Sequence, residues 1–266
     1  TSVGALFMGG VVPGLILGLV MMLYTGFVSV KRNYPAGKNY PPREFLRQAI
    51  KAMPALMTVV ILLVAIYTGI VTPTEAGALA AFWALFISIF IYRAFGPKEF
   101  LEVLKNTIKA IGTLSFMVGA AYAFSYIVAL EKVPQLVAGG LLGLTENKYL
   151  MLLIVNIAFL VLGMFMDTSS IQLVFVPIVL PVMRALGVDL VHFGVVIVLN
   201  MMIGLSTPPF GMLLFIVSGI TGAKLKDVIR EMIPFIILFI GVLMLITFVP
   251  DLVLWLPMQM GYKPGV

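Results

Sequence analysis

Nine stretches of 13 residues or more contain no Asp, Glu, Lys or Arg: 1–30, 52–74, 76–92, 110–130, 133–145, 149–166, 168–183, 190–223 and 232–250. A bilayer core of about 30 Å is crossed by about 20 helical residues at ~1.5 Å each. Backbone in lipid must satisfy its own hydrogen bonds, which helices do within one segment. The pattern therefore predicts an all-α integral membrane protein embedded in a lipid bilayer. Composition agrees: 62% of the 266 residues are hydrophobic and 11% are charged, where a soluble domain carries about 25% charged residues. A soluble fold of this length cannot hide so much apolar surface. A soluble enzyme, a nucleic-acid-binding domain and a disordered tail are excluded, and no nucleic-acid partner is expected. With no Cys and one His, disulfides, zinc–thiolate sites and thiol catalysis are excluded as well. The first run lacks a charged leading region, so it is not read as a signal peptide. The chain opens with Thr inside an apolar run, which suggests a piece of a longer protein.

The net charge of +6 and pI near 9.5 would suggest nucleic acid in a soluble chain. Here 13 of the 17 Lys and Arg fall in three groups: Lys31, Arg32, Lys38, Arg43, Arg47 and Lys51; Arg93, Lys98, Lys105 and Lys109; and Lys224, Lys226 and Arg230. Loops rich in Lys and Arg stay on the cytoplasmic side. With all three groups inside, 1–30 ends inside, 52–72 goes out and 76–92 returns. Helix 110–130 goes out, 190–223 comes in and 232–250 goes out, leaving Lys132, Lys148, Arg184 and the C-terminus external. The expected location is the bacterial inner membrane, with several crossings.

Pro42-Arg43-Glu44-Phe45-Leu46 is echoed by Pro97-Lys98-Glu99-Phe100-Leu101. Each begins an amphipathic stretch that runs into an apolar helix. Phe45, Leu46, Ala49, Ile50 and Met53 share one face, as do Phe100, Leu101, Leu104, Ile108 and Ile111. Both read as arms on the cytoplasmic membrane surface. Thr72 and Glu75, three apart around Pro73, form a capping box at a helix start, which gives Glu75 a structural role.

Two interruptions carry the chemistry. Asp167-Thr168-Ser169-Ser170 separates 149–166 from 168–183, and both flanks are assigned outside. The chain therefore goes in and comes back without a basic cytoplasmic turn, which favours a re-entrant hairpin over 149–183. Non-helical backbone at membrane depth is tolerated where protein buries it or where it lines a wet cavity, and an ionisable residue there marks a site. Ser206-Thr207-Pro208-Pro209 lies in the middle of 190–223. Proline removes the donor for the carbonyl four residues earlier, so Pro208 should free the Gly204 carbonyl and Pro209 that of Leu205. The residue before a proline is also driven from helical geometry. A half-helix should restart near Phe210, and the hairpin's second arm near Ser169. A hairpin tip meeting a broken helix at mid-depth is how secondary transporters bind substrate and coupling ion. Carbonyls, hydroxyls and one carboxylate are hard oxygen ligands suited to Na⁺. Helix N-termini favour an anionic group such as a carboxylate. The residues alone thus point to a cation together with an organic anion. Asn156, Gln172 and Asn200 are lone amides, read as interhelical hydrogen bonds, and His192 is read as structural.

Five segments resemble the large membrane subunit of tripartite ATP-independent periplasmic (TRAP) transporters: Gly69 to Gly77, Gly163-Met164-Phe165-Met166-Asp167-Thr168, Pro177 to Pro181, Val191-His192-Phe193-Gly194, and Gly204 through Gly211. The resemblance runs the length of the chain. It implies an elevator-type secondary transporter of two inverted repeats, each with a re-entrant hairpin and a broken transmembrane helix. It also implies sodium-coupled uptake of an organic acid of the sialic acid or dicarboxylate class. A periplasmic substrate-binding protein would deliver the acid, and a small membrane subunit would brace the large one. The implied sodium ligands are Gly163, Asp167, Thr168, Gly204, Leu205 and Thr207. The implied substrate residues are Ser169, Ser170, Ser206, Pro209 and Gly211. No catalytic residue is expected.

Only one hairpin and one broken helix are found, with Pro13 placed in 1–30 as Pro234 is in the last long helix. Segment 1–30 is therefore expected to close the first repeat, whose hairpin and sodium site would lie upstream. Residues 31–109 are expected to be arms and scaffold, 110–223 the transport unit, and 224–266 the last crossing and external C-terminus. Two rival readings remain: a symporter that needs no binding protein, and a scaffold that carries no solute. The scaffold predicts unbroken helix through 204–211.

Overall fold

The apolar stretches fold into helices in a computed structural model that describes residues 2–34, 41–68, 71–94 and 96–264. Lys38, and Gly69 and Ile70 of the first motif, lie outside the described residues. In chain order the helices are α1 (Val3–Lys31), α2 (Pro42–Tyr67), α3 (Pro73–Phe86), a π-helical continuation of α3 (Ile87–Ile91), α4 (Pro97–Leu130), α5 (Val133–Leu144) and α6 (Lys148–Phe165). They continue with α7 (Thr168–Val174), α8 (Val176–Ala185), α9 (Leu190–Leu205), α10 (Met212–Thr221), α11 (Leu225–Phe248) and α12 (Asp251–Gln259). No strand occurs among the described residues. Among the described residues six spans are long and apolar enough to cross a membrane: α1, α2, α3 with its π-helical end, α4, α6 and α11. The pair α7 and α8, bent by 56°, would make a seventh.

Contacts divide the chain into two units. One is Ser29–Leu114. In it the two amphipathic stretches are the opening turns of the continuous helices α2 and α4. α2 packs on α3, Trp83 Nε1 donates to the Pro54 carbonyl at 3.0 Å, and the Tyr92 hydroxyl donates to that of Lys51 at 2.7 Å. The capping box forms as read: the Glu75 amide donates to Thr72 Oγ1 at 3.3 Å, and the Thr72 amide to Glu75 Oε2 at 2.7 Å. No residue of α2 is buried, and Phe45, Leu46, Ile50 and Met53 are all exposed. An apolar surface this continuous is a surface for lipid or for another protein.

The other unit comprises Thr1–Val28 and Ser115–Val266. Its centre is α9, where ten of 16 residues are buried. One core forms where Phe193, Ile197 and Met201 meet Met151, Val155 and Phe159 of α6, Ile171 of α7 and Val182 and Met183 of α8. A second forms where Val195, Val196 and Ile203 meet Ile236, Leu243 and Ile246 of α11 and Val253 of α12. α1 closes on this second core through Gly9. A Cβ there would come within 3.2 Å of Val191, Val195 and Val253, tighter than ordinary contact, so glycine eases the close approach of the helix. Polar side chains cap the starts of α6 and α9: Asn147 Oδ1 accepts from Tyr149 and Leu150, and Asp189 Oδ1 from Val191 and His192. The Tyr262 hydroxyl donates to the other Asp189 oxygen at 2.8 Å, tying the chain beyond α12 to the start of α9.

Candidate functional site

The two interruptions are brought together by one pair of helices. α6 and α9 make the most extensive helix contact of the fold. Asn200 bonds Asn156 near their middles, and Gly204 meets Gly163 near their ends. Both contacts progress in the same chain sense, so the helices run parallel and stop side by side. At the glycine crossing, a Cβ on Gly204 would lie 2.7 Å from the Gly163 Cα and 2.9 Å from its carbonyl carbon. Immediately beyond, α6 ends at Phe165 and α9 at Leu205. The ends enclose a cavity of about 210 Å³ lined by Gly163, Met164, Phe165, Met166, Leu205, Phe210, Met212 and Phe215. Phe165 and Phe210, both exposed, pair beside it with ring centroids 5.6 Å apart.

On the hairpin side the chain leaves helix at Met166 and re-enters it at Thr168, one residue before the expected Ser169. Asp167 is the N-cap: its Oδ2 accepts from the Ser169 amide at 2.9 Å, and the residue is exposed. Thr168 is 8% exposed, and its hydroxyl is buried with no hydrogen-bond partner. A buried hydroxyl left in this way costs about 1–3 kcal/mol. Ser170 points elsewhere, its hydroxyl 3.6 Å from the Met117 sulfur. The second arm is not one straight helix; it bends between Val174 and Val176, where Pro177 restricts the backbone.

On the broken-helix side α9 stops at Leu205 and α10 starts at Met212, two residues later than the expected Phe210. The scaffold reading predicted unbroken helix here, and the helix is broken. One expectation is corrected. The Gly204 carbonyl is not freed, because the chain tightens after Ile203 and the Thr207 amide donates to it at 2.9 Å. No backbone donor reaches the Leu205 carbonyl among the described residues. The hydroxyls of Ser206 and Thr207 turn back, donating to the Met202 carbonyl at 3.2 Å and the Ile203 carbonyl at 2.6 Å. Pro209 is exposed and follows a cis peptide from Pro208. Gly211 sits at φ 37°, in the left-handed region, with a Cβ there placed 2.9 Å from the Thr207 carbonyl. No other residue type fits that turn without strain.

The structure therefore gathers Gly163, Leu205 and the flanking Phe165 and Phe210 at one cavity, with Asp167, Thr168, Gly204, Ser206 and Thr207 at the ends of the same two helices. Ser169 and Ser170 lie on α7, and Pro209 and Gly211 on the link to α10. Sequence reasoning did not single out the two phenylalanines. Their place in the two motifs could have flagged them, since Phe165 is the last residue of α6 and Phe210 lies in the link between α9 and α10. It also missed a larger cleft of about 540 Å³ between α10 and α11, with Ser206 at one end and Asp227 and Glu231 on its wall.

Compared with known proteins, residues 1–252 match the family described as "Tripartite ATP-independent periplasmic transporter, DctM component". The chain belongs to this family. It is 40% identical over 261 residues to the C4-dicarboxylate TRAP transporter large permease protein DctM of Pseudomonas aeruginosa, covering 98% of this chain and 61% of that protein. It is 36% identical over 263 residues to the sialic acid TRAP transporter large permease protein SiaM of Vibrio cholerae, covering 98% and 62%. It is 39% identical over 250 residues to the isethionate TRAP transporter permease protein DctMQ of Oleidesulfovibrio alaskensis, covering 94% and 39%. The chain spans about three fifths of the first and second of these. These relatives are transporter permease proteins, not enzymes. With its apolar spans, this member of the TRAP family is a multi-pass inner membrane protein.

Within this TRAP family member two of the three lone amides, Asn156 and Asn200, behave as read from the sequence, whereas Gln172 is exposed on α7 and makes no interhelical hydrogen bond among the described residues. Asn156 Nδ2 donates to Thr247 Oγ1 at 2.9 Å, joining α6 to α11. Asn200 Nδ2 donates to the Asn156 backbone and side-chain oxygens at 2.8 and 2.9 Å, joining α9 to α6. His192 shares a 2.8 Å hydrogen bond between Nε2 and the Ile246 carbonyl, a structural tie between α9 and α11.

Proposed function

We propose that this chain forms the part of a TRAP large membrane subunit in which sodium binding at the α6 and α9 ends drives uptake of an organic acid. The single observation that carries the proposal is the meeting of two helix ends at the Gly163–Gly204 crossing, with the Thr168 hydroxyl buried beside them and unpartnered. An unpartnered buried oxygen fits a site completed by a ligand.

Sodium suits the donor set. Thr168 and Thr207 offer hydroxyl oxygens. Gly163, Gly204 and Leu205 offer carbonyls, each with two lone pairs, so the Gly204 oxygen can bind an ion while accepting from Thr207. Asp167 supplies one carboxylate nearby. These are hard oxygens without a sulfur or imidazole donor, as a sodium ion requires. The substrate carboxylate would be favoured at the start of α10, where the first amides have no intrahelical acceptor, with Ser169, Ser170, Ser206, Pro209 and Gly211 shaping the approach. Ion binding would order the tip against the break, and the acid would then bind beside it. The unit holding the site would slide as an elevator against the remainder, an inverted repeat completing the transporter. A periplasmic binding protein would present the acid, and a small membrane subunit would brace the assembly. The relatives' names favour a C4-dicarboxylate, sialic acid or a related small acid.

The test uses the complete transporter in liposomes. Thr168→Val and Thr207→Val are each expected to raise the sodium concentration for half-maximal uptake roughly tenfold or more, at an unchanged amount of protein in the membrane. Unchanged sodium dependence in both variants would remove the site from this position.

A further inference from the structure

We infer that the buried amide bridge of Asn156, Asn200 and Thr247 positions the sodium site by fixing the register of α6 against α9 and α11; this rests on the function proposed above. All three side chains are at least 98% buried. Asn156 lies seven residues before Gly163, two helical turns on the same face, and Asn200 lies four residues before Gly204, one turn on the same face. The bridge and the glycine crossing therefore lie along one seam, and the seam ends at the tip and the break.

The bonding within the seam is directional. Thr247 donates its hydroxyl proton to the Leu243 carbonyl at 2.7 Å, so its oxygen is left to accept from Asn156 Nδ2. That turns Asn156 Oδ1 toward Asn200, whose Nδ2 bonds both this oxygen and the Asn156 carbonyl. Reversing either amide would set like atoms against each other, so each orientation is determined. Asn200 Oδ1 is left with no partner in a side chain with 0% exposure.

That orphan oxygen distinguishes register from adhesion. A bridge that only held helices together would do better with apolar side chains of the same shape, because no acceptor would be buried unmet. A polar bridge instead penalises every alignment but one, since a slip of one residue would leave several donors and acceptors unpaired. A slip would also move Gly204 off Gly163, where an added Cβ would lie 2.7 Å from the Gly163 Cα and no other residue has room. The site's oxygens, on the residues that follow, depend on that alignment.

The experiment compares Asn200→Leu, Thr247→Val and Thr247→Ser in the complete transporter. It reads the sodium concentration for half-maximal uptake, the substrate concentration for half-maximal uptake at saturating sodium, and the thermal midpoint in detergent. The expected result is a sodium shift of roughly tenfold in Asn200→Leu and Thr247→Val, an unchanged substrate value, and wild-type behaviour in Thr247→Ser; the midpoint falls in the first two, because each leaves a buried group of Asn156 without its partner. A lowered midpoint with no sodium shift would make the bridge merely structural and overturn the inference. Wild-type behaviour in Asn200→Leu would overturn it too. If wild-type uptake itself does not respond to sodium, the function proposed above fails first, which separates the two failures.

Discussion

Thr168 and Thr207 lie just beyond the ends of the same helix pair, both buried, yet only Thr207 has a hydrogen-bond partner. The difference gives Thr168→Val a two-sided signature. Without sodium, the variant removes an unsatisfied hydroxyl and is expected to unfold at an equal or higher temperature than wild type. With sodium, wild type should gain stability by mass action, while the variant should gain little. Thermal unfolding across a sodium series, with potassium as control, checks both halves. Tyr262 makes a separate residue-scale case. Burial, the hydrogen bond it donates to Asp189 and the charge of Asp189 push its phenol up to about 12 from the usual 10. The neutral phenol is the form favoured in the fold. Its contribution is therefore complete below about pH 10 and is lost as pH rises through about 12. Among the nine tyrosines, Tyr262 is expected to give a late step in the tyrosinate absorbance titration, and Asp189→Asn should move that step to lower pH. The roles of Asn156 and Asn200 were legible because an amide in an apolar helix needs a partner. The bonding of Thr207 was not, because a threonine beside a proline break can turn back on its own helix or outward with no change in sequence.

At the scale of elements, the fold depends on how closely α6 and α9 approach. Gly204→Ala would place a methyl group 2.7 Å from the Gly163 backbone and force the helices apart, at an expected cost of about 1–3 kcal/mol. Gly10→Ala in α1 meets nothing within 4 Å and should be neutral or stabilising by up to about 1 kcal/mol. Thermal midpoints of the two variants in detergent give the comparison, and equal midpoints would contradict the close crossing. Most elements could be read from the chain. Uncharged runs set the helices, Thr72 with Glu75 set the start of α3, and the proline pair set the break in 190–223. The boundaries at the interruptions shifted by one or two residues, because Asp167 and Gly211 as N-caps decide where helix resumes and Ser169 or Phe210 do not. The bend between α7 and α8 and the separate α12 were not read. A proline such as Pro177 or Pro250 at a helix start can begin, bend or simply join a helix, and tertiary packing chooses between these.

For the whole molecule, the distribution of charge is as informative as the apolar content. The basic groups border the apolar runs, and among the described residues the buried polar side chains other than His192 gather at one seam and one pair of helix ends. That the seam unites residues near 156, 200 and 247 could not be read from spacing, since nothing in a sequence gives the partner of a helix. The chain spans about three fifths of its P. aeruginosa and V. cholerae large-permease relatives, so expression of these 266 residues alone is expected to give membrane insertion without uptake. Co-expression with the remaining subunit segment and its partners should restore uptake. The most direct test of the central claim is initial uptake of labelled dicarboxylate and sialic acid by the complete transporter in liposomes, with binding protein outside and an inward sodium gradient. The account predicts sodium-driven accumulation of one acid in wild type and its loss at the same sodium concentration in Thr168→Val. Equal accumulation with and without the gradient, or in wild type and variant alike, would contradict it.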